Sequence, residues 1–314
     1  MAEKIATREA YGNALVELAE KYDFIVMDAD LAAATKTGIF KKKYPNRFFD
    51  CGIAEGNMMS AAAGIAATGL IPFVSSFAMF AAGRAFEQVR NSIAYPGLNV
   101  TVVGSHGGLS VGEDGATHQC CEDIGIMRTI PGMVILNPAD APEAKAAVRA
   151  AANYDGPVYL RFGRLAVPVF NEENVEFTIG KGKVMREGTD VTIIATGLEV
   201  NEAMIAADTL QAEGIDARVV NMATIKPIDK DLILACAAET GAIVTAEEHN
   251  VIGGLGSAVC ECVAGACPVP VIRHGVNDEF GRSGKAQEVL DAYGLNADGI
   301  IEAVRKALAA KQAV

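Results

Sequence analysis

Residues 23–30, DFIVMDAD, set the apolar run Phe24–Met27 directly ahead of Asp28 and Asp30. A short, unbroken apolar segment ending in acids reads as a buried parallel strand with its carboxyl end near a site. The same pattern recurs outward from it. Residues 7–22 precede it with helical spacing, Ala10, Leu15, Leu18 and Ala19 sharing one face. SAAAGIAATGL (60–70) suits a closely packed small-residue helix, LIPFVSSF (70–77) a strand, and AAGRAFEQVRNSIAY (81–95) a helix stopped at Pro96. LNVTVVGSHGG, GMVILNPAD and GPVYLRFGR continue as strands, and APEAKAAVRAAANY as a helix. The pattern fades from Val167 to about Asp190, where NEENVE and REGTD are polar. It resumes with VTIIATG, DARVVNMATIKPID, AIVTAEEHN and PVPVIRHGV alternating with helical segments. Strands alternating with helices in both halves predict two α/β domains, each a mostly parallel sheet with helices on both faces. Residues 1–168 form the first, 169–190 a linker and 191–314 the second.

A chain of 314 residues that is 51% hydrophobic is large enough for two such cores. The net charge is -12 with no basic tract, so nucleic acid is not an expected partner. Seven cysteines, an odd number without a CxxC pair, suit a reducing cytosol rather than a disulfide framework or zinc site. The N-terminal stretch carries acids and no apolar core, unlike a signal peptide. No apolar run reaches membrane-spanning length, and the expected location is cytoplasmic.

Glu55 is the sole carboxylate in GIAEGNMMSAAAGIAATGLIPF (52–73). It either caps a helix or faces water, or its proton affinity is tuned for chemistry by an apolar surround. GSHGGLSVGEDGATHQ (104–119) puts His106, His118 and two acids in a glycine-rich loop after a strand, where α/β proteins keep their sites. It lacks HExxH and cysteines at ligand spacing, so no metal centre is expected there. GGLGS (253–257) opens a helix and reads as tight packing, with a phosphate cradle as the other reading. Phe77 and Phe80, three apart in SFAMF, read on spacing alone as a core stripe.

These segments, taken in order, resemble the C-terminal half of transketolase across nearly the whole chain. The matching pieces are ATR, DADL, GIAEGNM, SFAMFAAGR, VGSHGGLSVGEDGATHQ, NPAD, an arginine after PVYL, and EEHNVIGGLGSAV. The resemblance implies a thiamine diphosphate enzyme that moves a two-carbon ketol unit between a ketose and an aldose, usually phosphorylated. The family's GDG…N motif for the diphosphate and its divalent metal (Mg2+ or similar) does not occur here. The resemblance therefore implies a split transketolase, in which an N-terminal partner subunit supplies that site within an α2β2 assembly.

The resemblance also assigns roles. Glu55 matches the glutamate that hydrogen-bonds N1′ of the aminopyrimidine, favouring the imino tautomer that takes the thiazolium C2 proton. Phe77 and Phe80 become the pyrimidine wall, and Asp30 an acid near the cofactor. His106 and His118 match histidines around the donor sugar, and Asp114 an aspartate sensing hydroxyl stereochemistry. Arg8 and Arg164 match the substrate phosphate clamp, a task for forked donors. One position departs: a serine that usually donates to the phosphate is Ala34 here, followed by Thr35. 1-Deoxyxylulose-5-phosphate synthase shares the glutamate, the arginine and the EEHN…GG run, and the beta subunits of 2-oxoacid dehydrogenases share the glutamate and the split layout. A non-catalytic regulatory or assembly subunit on the same fold is the reading from another class.

Overall fold

A computed structural model describes residues 3–313. Among these residues the strands form a seven-stranded sheet, a five-stranded sheet and a two-stranded ribbon. The first sheet runs Thr224–Lys226, Val134–Leu136, Val158–Arg161, Thr101–Ser105, Ile71–Phe77, Phe24–Asp28, Phe48–Asp50. Its neighbours are parallel except the Thr224–Lys226 edge, which is antiparallel. Every residue of Phe24–Asp28 is buried, as the apolar run demands of a strand covered on both faces. Alternation assigns the two faces. Phe24 and Val26 pack under helices Thr7–Leu18 and Ala141–Ala152. Ile25 and Met27 pack under helix Glu55–Ala66 and the helical segment that follows Phe77.

The second sheet runs Val271–Val276, Ile243–Asn250, Val191–Ala195, Ala217–Asn221, Lys183–Arg186, parallel apart from the last strand. Helices Glu199–Ala212 and Ala297–Gln312 cover one face, and Lys230–Thr240 and Leu255–Val263 the other.

Three features differ from the sequence expectation. The expected linker contains Lys183–Arg186, a four-residue edge strand in which only Val184 and Met185, one on each face, pack against the sheet's two cores, so it leaves little apolar signal. Thr224–Lys226, read as the exit of a second-domain strand, instead crosses back to complete the first sheet. Residues 81–95 do not form one regular helix. Two π-helical turns, Met79–Arg84 and Val89–Ala94, flank a short α turn at Phe86–Gln88. Turns of this kind are rare and concentrate at functional sites.

Candidate active site

Four adjacent parallel strands of the first sheet end on one side of the molecule. Their carboxyl ends carry Asp28, Phe77, Ser105 and Arg161, and the following residues supply Asp30, His106 and Arg164. This is where open α/β sheets place ligands. Two of these following residues are strained. Asp30 and His106 adopt φ of 62° and 59°, an uncommon conformation for residues with a Cβ.

Glu55 opens helix Glu55–Ala66 and is 1% exposed. Its two oxygens are both engaged, Oε1 accepting from Ser76 Oγ at 3.2 Å and Oε2 from Arg84 Nη1 at 2.8 Å. The acid therefore does not sit in a purely apolar surround. The π turn after Phe77 lays the Arg84 guanidinium over the Phe80 ring, 4.4 Å from its centroid, and onto Glu55. Arg84 went unread in the sequence. Its signal is the cation closing SFAMFAAGR, whose counterpart lies 29 residues earlier.

Phe77 and Phe80 do not form a closed core stripe. Phe77 is buried and stacks on His106 with ring centroids 3.9 Å apart, while Phe80 is partly exposed and meets His118 edge-on at 5.3 Å. The two phenylalanines lie 6.0 Å apart and nearly parallel. Phe77, Phe80, His106 and His118 thus form one wall of rings, and Arg84 links it to Glu55.

His106 Nδ1 lies 2.8 Å from Ser105 Oγ. Burial, then the Arg8 and Arg164 guanidinium groups and His118, push its pKa down to about 3, leaving a neutral imidazole. Arg8 is in turn held below its ordinary value by burial and by Arg164. Two guanidinium groups near a neutral imidazole are donors of the kind that bind an anion. Arg8 Nη1 donates to the Ala34 carbonyl at 2.6 Å. Arg164 Nη1 donates to the Val111 carbonyl and, at 2.6 Å, to Glu113 Oε2. Asp114 is exposed at the end of the Leu109–Asp114 turn, and Asp30 is exposed with its backbone N–H donating to Asp50 Oδ1.

The Ala34 departure has a structural counterpart. Thr35, the nearest hydroxyl in sequence, is buried and donates to Asp28 Oδ2 at 2.7 Å. Thr37 Oγ1 and the Leu31 N–H also donate to Asp28. Burial pushes Asp28 up to about 6 despite these bonds. Thr35 is thus committed to shaping the turn and does not replace the missing serine.

The GGLGS turn is occupied from within. Glu247, 0% exposed, accepts from the Leu255 and Gly256 N–H groups at 2.6 and 2.8 Å. A carboxylate already fills the N-terminal cradle, so the close-packing reading holds and the phosphate reading does not. Among the described residues no group of three or more His, Cys, Asp and Glu has the arrangement to hold a metal ion. No helix among them is long and apolar enough to cross a membrane.

The fold and these residues define a two-domain α/β protein with a carboxylate, an aromatic pair and two imidazoles grouped at the carboxyl ends of its first sheet. The transketolase pyrimidine-binding domain matches residues 3–169, and the transketolase C-terminal domain matches residues 180–300. The chain belongs to the transketolase family and corresponds to its C-terminal section. A Methanocaldococcus jannaschii protein named as a transketolase C-terminal section is 50% identical over 301 residues, 95% of this chain and 94% of that protein. A 6-deoxy-6-sulfo-D-fructose transketolase subunit of a Clostridium species is 47% identical, covering 95% of this chain and 93% of its own. An apulose-4-phosphate transketolase subunit from Phocaeicola vulgatus is 41% identical, covering 94% of this chain and 95% of its own. A solved structure described as a split-gene transketolase, inactive beta4 tetramer, superposes with a TM-score of 0.92 at 53% identity, covering 98% of this chain and 99% of that one.

Proposed function

We propose that this chain is the C-terminal subunit of a split transketolase that uses thiamine diphosphate, acting on sugars that carry an anionic end. A partner subunit grips the diphosphate and its divalent cation, and the active assembly is α2β2. The observation that carries the reading is the buried Glu55 carboxylate standing at one end of the Phe77–Phe80–His106–His118 wall. A flat, amino-substituted heterocycle fits such a wall, stacking on the aromatic faces and presenting a ring nitrogen to the acid. When bound, the cofactor supplies a nucleophilic carbon for ketol transfer.

This chain's own residues do the rest. Glu55 holds or releases a proton at the ring nitrogen. Ser76 fixes one carboxylate oxygen and Arg84 the other. His106, neutral, and His118 face the sugar as hydrogen-bonding groups, and Asp114 reads a hydroxyl. Arg8 and Arg164 clamp the anion. Relatives that act on a sulfonated and on a phosphorylated sugar support an anionic end without choosing between them. The cleft lacks the serine that usually assists phosphate, which leaves the two arginines as its anion donors.

The test is hydrogen–deuterium exchange at C2 of bound thiamine diphosphate, with partner present, in wild type and Glu55→Gln. A general acid–base role is worth about 10²–10⁴ in rate, so exchange is expected to slow by that order. A helix cap would leave exchange unchanged and cost on the order of 1 kcal/mol of stability instead. Unchanged exchange overturns the proposal.

A further inference from the structure

We infer that Glu248, delivered by the second domain, is a positioning residue for the loop that carries His106, Asp114 and His118. The inference rests on the functional reading above and assigns the second domain a part in it.

Strand Ile243–Asn250 runs along the base of this loop, and three of its successive residues engage the first domain. Glu248 is 3% exposed and its Oε1 accepts from the Ser110 N–H at 2.5 Å. His249 Nε2 accepts from the Gly125 N–H at 3.2 Å, and the Asn250 N–H donates to the Cys121 carbonyl at 2.7 Å. Ser110 lies in the buried first part, Leu109 to Gly112, of the turn Leu109–Asp114, between the two histidines.

Two glycines show how closely the carboxylate is fitted. A Cβ at Gly108, where φ is 87°, would overlap the Glu248 carboxylate, and one at Gly107 would overlap the Arg161 guanidinium. Arg161 completes the clamp. Its Nε donates to Asp123 Oδ2 at 2.8 Å and its Nη2 to the Glu248 carbonyl at 3.0 Å. The Gly108 N–H donates to the Cys120 carbonyl at 2.7 Å, which closes the loop base. His106 leaves this base in its left-handed conformation and stacks on Phe77. The angle at which the imidazole meets the aromatic wall is therefore set at Gly107–Ser110, and Glu248 is the side chain that the second domain contributes there. Its carboxylate bonds the loop backbone at Ser110, so its effect on the site passes through the placement of His106 and His118.

A buried N–H that loses its acceptor is penalised enough to shift an opening equilibrium by about one to two decades. Two measurements test the inference. In the isolated subunit, Glu248→Ala is expected to speed amide exchange of residues 106–119 by about tenfold or more, while strands Val158–Arg161 and Val191–Ala195 keep their protection. In the partner-assembled enzyme the same variant is expected to lose about tenfold in kcat with cofactor affinity within about threefold, because Phe77, Phe80 and Glu55 are untouched. Glu248→Gln retains an acceptor oxygen and is expected to restore both readouts toward wild type. If Glu248→Ala does not fold, Glu248→Asp, which withdraws the carboxylate by one methylene, takes its place with the same direction expected. Wild-type exchange and kcat in these variants overturn the inference. So does faster exchange spread evenly over both domains without rescue by Glu248→Gln, which marks a purely structural residue. A wild-type assembly that transfers no ketol unit counts against the proposed function instead, and the exchange measurement still judges Glu248.

Discussion

Arg84 Nη1 lies 2.8 Å from Glu55 Oε2, joining a half-exposed guanidinium to a carboxylate that is 1% exposed. The pair ties the acid to the aromatic wall, since Arg84 also covers Phe80. An acid with both oxygens engaged has a fixed orientation before any ligand arrives, which is the pre-organisation that proton transfer needs.

Arg84→Met keeps the length of the side chain and its contact with Phe80 but removes the charge. Water already solvates half of the arginine, so the expected cost in the isolated subunit is about 1 kcal/mol, or roughly 2–4 °C in Tm. A double-mutant cycle with Glu55→Gln checks the cause. The Arg84→Met penalty is expected to shrink when Glu55→Gln is already in place. Full additivity in calorimetry would mean that the ion pair contributes nothing.

Arg164→Ala is expected to raise KM for sugars with an anionic end far more than for their neutral analogues. Loss of a charge-assisted hydrogen bond is worth about 1.5–3 kcal/mol, one to two decades of affinity. Arg164 also binds Glu113 and the Val111 carbonyl, so a small common loss in kcat from loop disturbance accompanies it. Equal KM changes for charged and neutral sugars would place the arginine in the loop alone.

His106 is expected to remain neutral well below the ordinary histidine range, since its folded pKa is pushed down to about 3 from 6.5. The folded state therefore binds fewer protons than the unfolded chain. Stability present above pH 6.5 is lost as pH falls through that window towards about 3. His106→Gln removes this contribution, and its Tm should fall less than that of wild type on acidification through the same window. NMR titration gives a direct check, with the His106 Cε1–H resonance stationary down to about pH 5. A midpoint near the free-histidine value would show that the buried, arginine-flanked environment is wrong.

The isolated chain is expected to show no ketol transfer with thiamine diphosphate and Mg2+, and to gain it on mixing with the N-terminal partner as an α2β2 assembly. Light scattering with an activity assay on the separate and mixed chains decides it. Robust turnover by the purified single chain removes the need for a partner.

Much of the molecule was readable from residue order. DFIVMDAD reads as a two-side-buried strand because four apolar residues in succession leave no solvent face, and the structure buries all of Phe24–Asp28. The strand–helix alternation carries both sheets for the same reason. Lys183–Arg186 and Thr224–Lys226 were not readable. Each is a short edge strand paired antiparallel, and edge strands need only a few packed residues.

Glu55 could be picked out from sequence because it is chemically incongruous, a lone carboxylate among small apolar residues. The loop histidines stood out by their glycine-rich setting. What the sequence determined was thus the layer architecture and the set of reactive groups, since these follow from periodicity and side-chain chemistry. Tertiary structure alone decided which groups meet. Arg84 reaches Glu55 through a π turn that no periodicity announces. Thr35 turns inward to Asp28, although its neighbourhood in sequence suggests a substitute for the serine missing at Ala34. Glu248 meets Ser110 across 138 positions of chain because two sheets dock edge to loop. Contacts at such separations depend on the packing of whole layers, and no local pattern of residues encodes them.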